Sequence, residues 1–186
     1  MRRVLASMAC CALLAGCGGG ERQDADEPSG TFELEIAEAS FPGSQQIGET
    51  AELTIAVRNV GEGTAPNVSL SVEGFYRRLE MQGLADPERP VFVLEQTPAD
   101  GETSYVGTWS LGPLPAGGTK EFTWRLTPVV AGTHTLKYTA AAGLDGKAVG
   151  RDAGGGPPSG TITARVSDEP VDARVDPETG AVEKQR

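Results

Sequence analysis

The chain has 186 residues, a formal charge of −10 and 25 glycines, and 38% of it is hydrophobic. That acidity excludes the basic face needed to neutralise nucleic-acid phosphates, and any electrostatic hold on anionic lipid headgroups. With one histidine, His134, and three cysteines, Cys10, Cys11 and Cys17, there is little from which to build a catalytic triad or a zinc site.

Arg2 and Arg3 form a positive start, Val4 to Leu14 an apolar run, and Ala15 and Gly16 a small-residue site. This is the layout of a secretory leader, and the run is too short to cross a hydrocarbon core of about 30 Å as a helix. Leu14-Ala15-Gly16-Cys17 resembles the bacterial lipobox. The resemblance implies that the Cys17 thiol receives a diacylglyceryl group and that residues 1–16 are a signal peptide cleaved before it. Cys10 and Cys11 leave with the leader, so no cysteine remains for a disulfide, redox or metal chemistry inside the domain. Acyl chains on Cys17 place the protein at the cell membrane, facing outside the cytoplasm, and two or more of them hold it stably. Gly18 to Gly20 and then the acidic stretch Glu21 to Gly30 contain almost nothing apolar. Residues 17–30 therefore read as a lipidated, flexible tether spanning about 20 Å root-mean-square.

From Thr31 the pattern changes to period-two alternation. Phe32, Leu34 and Ile36 share one strand face, then Leu53, Ile55 and Val57, then Val68, Leu70 and Val72. The turn between the last two strands falls at Asn59 to Gly63, where asparagine and glycine tolerate positive φ. Gly74 to Thr103 is the least regular stretch, broken by Pro87 and Pro90, with a short strand over Val91 to Leu94. Ser104 to Leu111 aligns Tyr105, Trp109 and Leu111 as one strand face. Phe122, Trp124 and Leu126 line the next strand, then Leu136, Tyr138 and Ala140, and Ile162, Ala164 and Val166 line the last. Asp145-Gly146 signals a hairpin-type turn. From Asp168 onward prolines and charges replace alternation, which predicts a disordered tail over 168–186. The fold class is all-β: a single immunoglobulin-like sandwich of seven to nine strands over residues 31–167, with 74–103 as an insertion. Trp109 and Trp124 are the candidates for the centre of its core, each needing a partner for its ring N–H if fully buried.

Two stretches carry a resemblance. Ala51 to Gly61, followed by Ala65-Pro66-Asn67-Val68, is similar to the bacterial surface modules called CARDB and DUF11 domains, whose pattern is an alternating strand, Asn-x-Gly and a second strand. Leu111 to Gly117, Glu121 to Trp124 and Ala131 to Leu136 resemble their later Leu-Pro-x-Gly turn and following strands. The resemblance spans about Thr50 to Ala140 and implies an immunoglobulin-like fold without shared catalytic residues. The 74–103 insertion and the single copy set this chain apart from simple repeated spacers.

His134 sits at a strand start beside a glycine turn and reads as a surface strand histidine. Asp86, Glu88, Glu95, Asp100, Glu102, Asp145 and Asp152 are loop carboxylates of the kind that can hold calcium, but the EF-hand spacing is missing. They read as solvated charge, so no metal and no cofactor is expected. Gly143 to Ala148 has a Gly-Lys pair without the spacing of a phosphate loop, and reads as a turn. Phe75, Tyr76, Arg77 and Arg78 form an aromatic-basic cluster in an acidic chain. They would anchor a binding patch if exposed, or, for the two aromatics, cap the core. The reading is a non-enzymatic, lipid-anchored cell-surface module with a structural role or a protein or glycan partner in the envelope. The alternative is an accessory lipoprotein that binds a solute or metal for a transport system.

Overall fold

The computed structural model describes residues 24, 26–80, 83, 87–99, 101–170, 172–180 and 182–184. The described strands are β1 (Gly30–Ser40), β2 (Ser44–Ile47), β3 (Ala51–Asn59), β4 (Ser69–Glu73), β5 (Tyr76–Arg78), β6 (Glu88–Pro90), β7 (Phe92–Gln96) and β8 (Glu102–Tyr105). They continue with β9 (Thr108–Ser110), β10 (Thr119–Pro128), β11 (Gly132–Ala141), β12 (Ala148–Arg151), β13 (Ser159–Pro170), β14 (Ala173–Val175) and β15 (Val182–Lys184). Two sheets make the sandwich, one of five strands in the order β12-β1-β3-β10-β7 and one of six in the order β2-β13-β11-β4-β9-β8. Pairing is antiparallel throughout them except at β1–β12 and β2–β13.

Alternation places the core where the sequence predicts it. Leu53, Ile55 and Val57 on β3 and Phe122, Trp124 and Leu126 on β10 have no exposed surface, and Val68, Leu70, Val72, Leu136, Tyr138, Ala140, Ala164 and Val166 are buried from the facing sheet. At its centre Trp109 and Trp124 pack edge to face with ring centroids 5.3 Å apart, and Phe122 stacks on Trp124 at 6.1 Å. Neither indole N–H reaches a hydrogen-bond acceptor among the described residues.

Asn59 closes the turn after β3 from inside. Its amide nitrogen donates to the Gly63 and Leu114 carbonyls at 2.7 and 2.8 Å, and its amide oxygen accepts from Gly61 N–H at 3.1 Å. Its own backbone pairs with Gly117 and Gly118, so one side chain fastens the Asn-x-Gly turn to the Leu-Pro-x-Gly connection.

The all-β sandwich is as the sequence predicts, and the structure adds five details to it. Short edge strands extend both sheets, to five and six strands among the described residues. The 74–103 stretch is in part integral: β7 pairs with β10 at the edge of the first sheet. Ser104 to Leu111 is not one strand but the hairpin β8–β9, folded at Val106 and Gly107, and this turns Tyr105 outward to 49% exposure. The ordered unit starts before Thr31, with Asp24 and residues 26–30 seated against it, as described below. At the other end β13 runs to Pro170, and β14 and β15 form a separate hairpin in the tail.

Candidate recognition surface

The sequence cluster Phe75–Arg78 begins at Gly74, which has a φ of +104° and whose missing side chain leaves room for the Thr135 carbonyl. An L-residue there would be strained in the backbone and would press on that oxygen, so the turn out of β4 requires glycine. Phe75 then points inward. It is 2% exposed, with its ring 6.0 Å from Trp109 and 6.4 Å from Trp124, and its carbonyl accepts the Val91 and Phe92 N–H groups. As a binding residue Phe75 is therefore corrected: the aromatic core has claimed it.

Beyond this base β5 and β6 form a two-stranded ribbon of their own, pairing Tyr76 with Pro90, Arg77 with Arg89 and Arg78 with Glu88. Tyr76 is half exposed, and Arg77 and Arg78 lie on the surface. Arg77 and Arg89 are direct cross-strand partners, and like charges placed opposite each other weaken a ladder. Among the described residues Arg77 and Arg78 have no ion-pair partner, while Arg89 donates to the Glu88 carbonyl at 2.7 Å. The ribbon therefore offers positive charge and one aromatic ring on a chain whose overall charge is negative.

The other candidate residues have local structural roles. His134 donates from Nε2 to the Val130 carbonyl at 2.8 Å and packs edge-on against Phe92. Asp152 accepts from the Gly154 and Gly156 amides of its own turn, Glu95 accepts from the Thr127 hydroxyl, and Asp145 pairs with Lys147 at 2.8 Å. Asp86 and Asp100 lie outside the described residues. Among the described residues no group of three or more potential ligands converges as a metal would require. An open groove of about 370 Å³ lies between the start of β1 and the Gly61–Gly63 turn, lined in part by Glu33 and Glu62.

One site escaped the sequence reading. The Glu27 carboxylate is received by the turn between β11 and β12: Oε2 accepts from Leu144 and Asp145 N–H at 2.6 and 2.8 Å, and Oε1 from Ala148 N–H at 2.7 Å. Upstream, Asp24 is 3% exposed and its Oδ2 accepts from the Tyr105 hydroxyl at 2.9 Å; downstream, Gly30 N–H donates to the Lys147 carbonyl. Burial pulls the Glu27 carboxyl upward, but the amides of Ala148, Asp145, Leu144 and Lys147 together outweigh it and hold it below the usual carboxylate value. No local signal pointed to this, because the receptor lies more than a hundred residues away from Glu27 in sequence.

Cys17 lies outside the described residues. No protein-family model matches the chain, and no curated protein matches it in sequence. Among solved structures it is similar to the CARDB domain of a Pyrococcus furiosus protein, with a TM-score of 0.46 and 16% identity over 73% of this chain and 95% of that one. A crystal structure of that domain, at TM-score 0.45 and 18% identity over 73% and 94%, holds two metal ions. A cohesin module of a Clostridium perfringens glycoside hydrolase is similar at TM-score 0.42 and 12% identity, over 74% of this chain and 98% of the module.

Proposed function

We propose that this protein is a non-catalytic envelope module, anchored by acyl chains on Cys17 and presenting the β5–β6 ribbon to an acidic protein or glycan. The observation that carries the recognition half is the exposure of Arg77 and Arg78 beside the half-exposed Tyr76, with no ion-pair partner for either arginine among the described residues. Exposed guanidinium groups beside an exposed tyrosine are the side chains that most often anchor a contact, and a partner's carboxylates would pair with them. The anchoring half is supported by the order of positive start, apolar run, small residues and cysteine in residues 1–17. A non-enzymatic role agrees with a sandwich whose one histidine is bonded to a carbonyl and packed on phenylalanine.

A photo-crosslinking residue placed at Tyr76 tests the surface in intact cells. The reading expects a discrete crosslinked species that disappears in Arg77→Glu. Crosslinking that is diffuse, or unchanged by that substitution, would remove the ribbon as a recognition surface.

A further inference from the structure

We infer that the turn 143–148 is a carboxylate-binding site filled in cis by Glu27, and that this contact straps the N-terminal segment onto the sandwich. Both partners are shaped for it. Three backbone N–H groups converge on the two oxygens of one carboxylate, which satisfies donors that a solvent-facing turn would otherwise leave to water. The receptor requires Gly143, because the carboxyl group of Glu27 lies where a β-carbon at that position would be. The charged groups around the contact are Asp24, Asp145 and Lys147. Lys147 is held by Asp145 at 2.8 Å, so the acid of the turn is paired beside the incoming carboxylate. On either side of Glu27 the strap is fixed again, by Asp24 on the Tyr105 hydroxyl and by Gly30 on the Lys147 carbonyl, where β1 begins its parallel pairing with β12.

The consequence for position rests on the proposal that Cys17 is acylated; the strap itself does not. With Asp24 and residues 26–30 docked, the span from the acyl-bearing residue to the sandwich shortens from Cys17–Gly30 to Cys17–Asp24. For a flexible coil that reduces the root-mean-square reach from about 20 Å to about 15 Å. The docked segment then begins at Asp24, beside the β8 edge of the second sheet, which biases that edge toward the bilayer.

Hydrogen exchange on the full chain in detergent tests the site without reference to lipid. In the wild type the amides of Leu144, Asp145 and Ala148, and those of Glu27 and Gly30, should be protected. Glu27→Ala and Gly143→Ala should each raise exchange at both places about tenfold or more, with β3 and β10 amides unchanged. Gly143→Ala evicts the carboxylate without altering it, so agreement between the two variants assigns the effect to the contact. Glu27→Ala removes a fragment the size of acetate, and added sodium acetate, against a chloride control, should restore protection at 144, 145 and 148 but not at 27 and 30. Protection that survives both substitutions would overturn the strap, and turn amides indifferent to acetate would overturn the carboxylate site.

Discussion

Asn59 has no exposed surface and makes three hydrogen bonds to backbone atoms of two different turns. Replacing it with leucine leaves the Gly63 and Leu114 carbonyls and the Gly61 N–H without that partner. The Leu114 carbonyl keeps the Ala65 N–H and Gly61 N–H keeps the Glu33 carbonyl, so the cost is that of three hydrogen bonds at about 0.5–1.5 kcal/mol each, and Asn59→Leu should destabilise by about 2–4 kcal/mol in urea unfolding. A loss below about 0.5 kcal/mol would show that water replaces the amide. Glu27 gives a second test at this scale. Its folded carboxyl lies below the ordinary value, so at intermediate pH the unfolded chain binds more protons, and stability rises with pH. The contribution is complete above the ordinary carboxylate value and is lost as pH falls through the folded one. Glu27→Gln should therefore flatten the melting-temperature profile between about pH 5 and pH 3 relative to the wild type. Parallel profiles would contradict the charge-assisted contact.

The strands that alternate strictly were legible because period two has one physical cause, a single buried face. β3, β4, β10 and β11 each bury the residues the pattern selects. Elements fixed by tertiary pairing were not legible. Tyr105 and Trp109 share the alternation of one strand, yet Gly107 at φ +73° folds that stretch into a hairpin and sends the two rings to different environments. Likewise Phe75 and Tyr76 are adjacent aromatics of similar size, and only the turn at Gly74 decides which of them enters the core. The arginines of the ribbon were legible as a charged cluster, but the Arg77–Arg89 register needed the pairing. That register makes a prediction at the scale of the element. Arg77→Glu should leave urea unfolding within about 0.5 kcal/mol of wild type or slightly stabilise it, since it replaces a like-charge cross-strand pair with an opposite one. A loss of about 2 kcal/mol or more would mean that Arg77 serves the fold and not a partner.

At the scale of the molecule, position and recognition separate cleanly. The acidic chain has no net electrostatic attraction to anionic lipid, so in the proposed reading residence at a membrane depends on Cys17, while Arg77 and Arg78 put positive charge on the surface of the ribbon. The strap links the two by bringing the anchor's exit point to one edge of the second sheet. Removal of the anchor should release a folded protein: Cys17→Ser should appear in the soluble fraction with an unchanged melting temperature, provided the leader is cleaved. The most direct measurement of the whole account is the mass of the N-terminal peptide of the wild-type protein, taken from membranes of cells grown with labelled fatty acid. The account predicts a peptide beginning at Cys17 and carrying labelled acyl chains, absent in Cys17→Ser; an unmodified Cys17 in freely secreted wild-type protein would contradict it.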